Sequence, residues 1–128
     1  MDLHTVKTDR APAAIGPYSQ GVVAGQWIFV SGQIGLVPGT SDLVSADFAD
    51  QTRRSLENLR QIVESAGSSL SQVVSVDVFL TDISRFASFN EIYESYFSAH
   101  KPARAVIEVK GLPRGALVEI KCIAVRSG

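Results

Sequence analysis

Two charged residues stand where charge is hard to accommodate. Glu119 lies in the middle of residues 116–125, an almost continuously apolar run. A strand that apolar is expected to be buried on both faces, so its carboxylate needs a partner, a proton or a task. Arg104 opens the extended segment 102–109 directly after Pro102-Ala103, and the proline biases the backbone entering it toward extended geometry. A guanidinium at the mouth of a strand can fork onto a carboxylate or phosphate. Arg104 and Glu119 are therefore the candidate pair. Residue type alone is also compatible with an internal salt bridge or two solvated side chains.

Other chemistries lack their parts. There is no phosphate-binding glycine loop, and Gly32-Gln33-Ile34-Gly35 does not fit the dinucleotide fingerprint. His4 and His100 are not at metal-ligand spacing with Cys122 or an acidic cluster. His100 reads as a helix-terminal cation. Ser31 has no histidine base nearby in sequence and no nucleophile elbow around it. Cys122 falls within the apolar run and reads as a small core residue.

The elements that must position the pair follow from periodicity. Residues 11–17 form a turn-rich approach, followed by a strand at 18–24, a Gly25-Gln26 hairpin turn and a strand at 27–31. The glycine-punctuated segment 32–35 reads as a third strand that can bulge or admit a close neighbour to its backbone. After the loop at 38–42, Ser45 or Asp47 caps a helix. Its stripe is Phe48, Leu56, Leu59, Val63 and Ala66, and Gly67 ends it. Arg53, Arg54, Glu57 and Arg60 form its wet face. A valine-rich strand covers 73–80. Thr81 or Asp82 caps a second helix, with Phe86, Phe89, Tyr93 and Tyr96 or Phe97 facing inward as core. The last two strands are joined through residues 111–115.

With 128 residues, 45% apolar and 20% charged, the chain is one globular domain, 1–128. The expected fold is α+β in two layers, with two helices on one face of a mixed sheet. The other face keeps alternating Val, Ile and Phe and needs cover, which another copy of the chain can supply. A net charge of −1 without a basic run argues against a nucleic-acid partner. The absence of a long apolar run argues against a membrane span, and the N-terminus lacks an apolar signal core. The expected location is cytoplasmic.

Ordered motifs run through nearly the whole chain: Ala11-Pro12-Ala13-Ala14-Ile15-Gly16-Pro17-Tyr18-Ser19-Gln20, Phe29-Val30-Ser31-Gly32-Gln33-Ile34, Gln51-Thr52-Arg53, Leu56-Glu57-Asn58-Leu59, Val78-Phe79-Leu80-Thr81-Asp82, Asn90-Glu91-Ile92-Tyr93, Pro102-Ala103-Arg104 and Gly115-Ala116-Leu117-Val118-Glu119-Ile120. In these the chain resembles the Rid family of reactive-intermediate deaminases, the YjgF-like proteins. The resemblance implies a chorismate-mutase-like fold, a homotrimer with a β-lined core, and sites in the clefts between subunits. The implied reaction is hydrolysis of 2-imino acids such as 2-iminopropanoate and 2-iminobutanoate, or their enamine tautomers, to 2-keto acids and ammonia, with no cofactor or metal. Under the resemblance Arg104 holds the substrate carboxylate and Glu119 is the acid/base group acting through water. Tyr18 walls the site, Ser31 and Asn90 add polar contacts, and the backbone at Gly32 and Val106 meets the reacting end. Some relatives are instead described as chaperone-like, or as ribonucleases or translation inhibitors.

Many relatives carry Ser or Thr after the arginine and Cys two places after it. This chain has Ala105 and Val106, so no thiol response carries over to that position. If the last two strands pair in a tight hairpin, Arg104 lies opposite residue 123, about 13 Å along the strand from Glu119. That span is long for a small substrate, so the site is expected to join Arg104 of one subunit to Glu119 of the next.

Overall fold

The computed structural model describes residues 2–126; Met1, Ser127 and Gly128, which the domain range 1–128 includes, lie outside the described residues. The element order is β1 (Leu3–Val6), β2 (Gly21–Ala24), β3 (Trp27–Gln33), α1 (Phe48–Ser65), β4 (Val73–Leu80), α2 (Phe86–Tyr96), β5 (Ala103–Glu108) and β6 (Val118–Val125). The strands form one six-stranded sheet in the order β1-β2-β3-β6-β4-β5. Among the described residues only β4 and β5 pair in parallel. They are linked through α2, the crossover that a parallel neighbour requires.

Local signals fix the helix ends. The Asp47 carboxylate accepts from the Asp50 N–H at 3.0 Å, capping α1. At the far end the Gly67 N–H donates to Glu64 O and the Ser68 N–H to Val63 O, with Gly67 at φ +89°. That is the left-handed C-terminal closure glycine favours. Between these caps Phe48, Leu56, Leu59, Ile62 and Val63 are buried, against sheet residues that include Val30, Val76, Val78, Ile120 and Ala124.

Pairing partners share a face, so the register sorts every side chain. Val118, Ile120, Cys122 and Ala124 of β6 lie under the helices, and Glu119, Lys121, Ile123 and Val125 alternate onto the open face. Leu3, Trp27, Phe29 and Ile107 also fall on the open face and are 68, 46, 46 and 49% exposed. A row of large apolar side chains left in water on one face of a sheet is the mark of an interaction surface.

The structure departs from the sequence-based expectations in several places. Segment 32–35 is not a separate strand: Gly32 and Gln33 end β3, past a register shift between Val30 and Gln33. The extra strand is β1, whose alternation over four residues is too short to read. Strand β2 begins at Gly21 rather than at Tyr18. The last two strands form no hairpin, because β4 lies between β5 and β6. Strand β6 is buried on one face only. Phe86 is 41% exposed rather than inward, while Phe89, Tyr93 and Phe97 are core. His100 lies beyond the end of α2, and its Nε2 meets Val73 O at 2.7 Å.

Candidate active site

Glu119 sits on the second residue of β6, opposite Phe79. It is half-buried, and desolvation pushes its carboxyl above the ordinary range, with Lys121 pulling it partly back. It has neither an ion-pair partner nor a hydrogen-bond partner among the described residues. The register shift in β3 brings Gly32 so close that a Cβ at 32 would overlap Glu119 Oε2 and stand 2.8 Å from Glu119 Cδ. Only a glycine leaves room for the carboxylate there. Gly35, a turn later, lets the chain lie against α1, since a Cβ would come 2.9 Å from Gln51 Cα. Glu119 and Gly32 share a cleft of about 280 Å³ whose other walls include Ala13, Ile15, Tyr18, Ile34 and Arg114.

Hydrogen bonds from side chains build that cleft. The Ser31 hydroxyl donates to Ser19 O at 2.5 Å, and the Ser31 N–H to Gln20 O at 3.0 Å, pinning the Tyr18 loop to β3. Buried Gln20 donates to Pro12 O and Thr8 O and accepts from the Thr8 N–H, folding the approach segment back on itself. Asn58 Nδ2 donates to Leu36 O at 2.9 Å and Ile34 O at 3.3 Å. Gln51 donates to Ser45 O and accepts from the Leu117 N–H, two residues before Glu119. Each amide satisfies backbone groups that would otherwise be buried unpaired. Sequence reading missed Gln20, Gln51 and Asn58 as builders of the site; the available signal was polar residues at helical spacing (51, 55, 58) inside an apolar stripe.

Arg104 lies elsewhere. It is on edge strand β5 opposite Val76, which is opposite Cys122, so its Cβ points to the helix side of the sheet. Its Nη1 donates to Asn90 Oδ1 at 2.8 Å, and its guanidinium carbon lies 4.7 Å from the Tyr93 ring centroid and 5.6 Å from that of Phe86. No carboxylate pairs with it among the described residues. A second cleft, about 440 Å³, is lined by Arg104, Asn90, Tyr93, Glu94, Lys101 and Pro102. Asn90 thus spends its carbonyl oxygen on the arginine. Val106 is half-buried on the same face and packs on the core.

Arg104 and Glu119 are therefore three residues and two strands apart, about 14 Å by strand geometry, on opposite faces of the sheet. The pair is not an internal salt bridge, and no small molecule can touch both side chains within one chain. The hairpin expectation was wrong in topology; the separation is of similar size, and the structure adds that the two side chains leave opposite faces of the sheet. Tyr18 and Gly32 line the cleft with Glu119, while Ser31 pins the loop that carries Tyr18; Asn90 meets Arg104, and Val106 lies two residues on along the same face of β5.

Among the described residues no group of three or more His, Cys, Asp or Glu is placed to hold a metal ion, and no helix is long and apolar enough to cross a membrane. Cys122 is buried, and desolvation pushes its thiol up to about 12, which leaves it without thiolate character.

Comparison with known proteins adds relatives to this geometry. Residues 8–126 match the family described as Endoribonuclease L-PSP. A RutC family protein of Pyrococcus horikoshii is 49% identical over 117 residues, 91% of this chain and 93% of that protein. The 2-iminobutanoate/2-iminopropanoate deaminase of Rattus norvegicus is 45% identical over 121 residues, 94% of this chain and 88% of that protein. The crystal structure of E. coli TdcF with bound serine superposes with a TM-score of 0.92 at 45% identity, covering 97% of this chain and 99% of the other.

Proposed function

The chain belongs to the endoribonuclease L-PSP family, of the YjgF and RutC type, and from that premise we propose that it hydrolyses 2-imino acids, 2-iminopropanoate and 2-iminobutanoate among them, to 2-keto acids and ammonia. The observation that carries this reading is the state of Glu119. It is a half-buried carboxyl without an ion-pair partner among the described residues, raised by desolvation and held at the wall of a cleft by a glycine that leaves no space for a methyl group. A carboxyl raised in this way holds its proton more readily than an ordinary glutamate, which suits an acid/base role.

The working unit in this reading is a homotrimer of single domains, 1–128, acting in the cytoplasm. Its site lies between subunits, with Arg104 of one protomer facing Glu119 of the next. The apolar open face supports association, and the opposite-face placement of the two charges supports sharing of the site. Arg104 grips the substrate carboxylate, and Tyr18, Gly32 and the backbone at Val106 surround the C=N end. Glu119 takes a proton from water as the water oxygen bonds the imine carbon and returns it to the nitrogen, giving a carbinolamine. It then relays the new hydroxyl's proton to the nitrogen as the C–N bond breaks, so the carbonyl forms and ammonia leaves. Imines already hydrolyse in water, so positioning and charge placement suffice.

The test couples this protein to a threonine dehydratase and traps the released 2-iminobutanoate with semicarbazide. The expected result is strong suppression of the trapped adduct by the wild-type chain and none by Arg104→Lys, which keeps the charge and loses the fork. Suppression by neither protein would leave a second reading, a small-molecule-binding trimer without turnover. It is favoured by the relative solved with serine bound.

A further inference from the structure

Arg104 is exposed, on an edge strand, and paired with no carboxylate among the described residues. A long side chain in that situation ordinarily samples many rotamers. Here three residues of α2 converge on it. Phe86, Asn90 and Tyr93 stand at i, i+4 and i+7, one face of a helix. The Asn90 carbonyl takes one N–H at 2.8 Å, and two aromatic rings lie within cation–π reach of the guanidinium carbon, at 4.7 and 5.6 Å. Tyr93 is itself immobilised, stacked on Phe97 at 4.7 Å and tilted against Phe89 at 5.5 Å. Two features fit a platform rather than ordinary core packing. Phe86 begins the helix 41% exposed, with Arg104 over its ring. The Tyr93 hydroxyl is buried without a hydrogen-bond partner among the described residues, so what Tyr93 contributes is its ring.

We propose that Phe86 and Tyr93, with Asn90, form an orienting cradle for the Arg104 guanidinium, so that Phe86 and Tyr93 are positioning residues for the substrate's carboxylate. This rests on the deaminase reading for its functional consequence, but not for its structural content. The cradle leaves four of the five N–H groups for a ligand while fixing the plane in which they lie. Forked recognition depends on that plane, and a merely positive charge does not. It also assigns Asn90 a different job from direct substrate contact: its carbonyl oxygen is committed to the arginine before any ligand arrives.

Two measurements on the full-length protein separate the proposal from the reading beneath it. The first is 15N relaxation at Arg104 Nε without ligand. Phe86→Leu and Asn90→Leu are expected to lower its order parameter, Phe86→Tyr to restore it, and Tyr93→Phe to leave it unchanged because the ring remains. An unchanged order parameter in Phe86→Leu, or a lowered one in Tyr93→Phe, overturns the cradle whatever the activity. The second is titration with 2-oxobutanoate together with KM and kcat for the imine. Phe86→Leu is expected to weaken binding and raise KM roughly two- to fivefold with kcat little changed, the size of an exposed cation–π contact. A loosened guanidinium with unaltered binding and KM would overturn the functional half of the proposal. Wild-type protein that neither binds nor turns over, with the order parameters behaving as expected, would sink the deaminase reading and leave the structural cradle standing.

Discussion

The two ends of the candidate site are built by opposite means. Around Arg104 the protein adds contacts: a carbonyl and two ring faces hold an exposed cation on an edge strand. Around Glu119 it takes contacts away: burial raises the carboxyl, a missing Cβ at Gly32 makes space, and no cation pairs with it directly among the described residues. The first arrangement organises a charge that water already stabilises. The second creates a group that keeps its proton more readily than an ordinary carboxylate because water is partly excluded. An anchor needs direction, whereas an acid/base group needs a tuned affinity for its proton.

The largest effect should come from separating the two ends genetically. Arg104→Ala and Glu119→Gln are each expected to lower imine-hydrolysing activity by about 10²-fold or more, the scale of losing a positioned acid/base or a desolvated anchor. Because the two residues lie on opposite faces and about 14 Å apart, neither loss is repairable within a chain. Co-refolded mixtures of the two variants are expected to recover activity, since some interfaces then pair an intact Arg104 with an intact Glu119. Mixtures as inactive as their components would refute a site shared between subunits.

A smaller effect isolates the Glu119 end. In Gly32→Ala the new methyl meets the far end of a flexible side chain rather than backbone, so the carboxylate can swing away at little cost to the fold. Activity is expected to fall at least tenfold while the melting temperature changes by only a few degrees. The equivalent intrusion at Gly35 strikes the Gln51 backbone at 2.9 Å, and there the order reverses: Gly35→Ala should lose stability first. Equal stability losses at 32 and 35 would mean that Gly32 is a packing residue and not a space held for the carboxylate.

Much of this architecture is legible in the order of residues alone. Asp47, Gly67 and β4 over Val73–Leu80 can be read because caps and alternating valines are local signals. Arg104 and Glu119 stand out because charge in an apolar or proline-led strand is anomalous. What stays hidden is nonlocal. Strand adjacency makes a β5–β6 hairpin the default, although the succession β4, α2, β5 already carries the pattern of a parallel crossover. Which face each charge occupies depends on that register, and a register error moves a side chain through the sheet. The inward assignment of Phe86 fails for a related reason: helical spacing groups it with Phe89 and Tyr93, but the helix starts at the sheet's margin, where an arginine rather than core covers the ring. Asn58 and Gln51 are hidden because an amide that pairs with distant carbonyls looks, in sequence, like any polar residue on a helix.

The smallest predicted effect is on stability, and its sign distinguishes a carboxyl that the fold strains from one that it comforts. Glu119 has a folded-state pKa raised above its unfolded value by burial, so the folded chain holds that proton more tightly. The group's contribution to stability is complete below the unfolded pKa, about 4.3, and is lost as pH rises through the folded value. Glu119→Gln should therefore melt higher than wild type at pH 8, with the difference closing toward pH 4. Glu57 on α1 supplies the opposite case: its hydrogen bond from Arg60 lowers its pKa against a smaller opposing desolvation. Its stabilisation is present above the unfolded pKa and disappears as pH falls through the folded one. Glu57→Gln should melt slightly lower than wild type at pH 8 and converge with it in acid. The effect is small, because the pair is partly exposed and screened. Thermal melts of both variants across pH 4–8 read the two signs directly. If Glu119→Gln tracked Glu57→Gln, Glu119 would have to be an ordinary paired carboxylate, and the contrast between the two ends of the site would lose its physical basis.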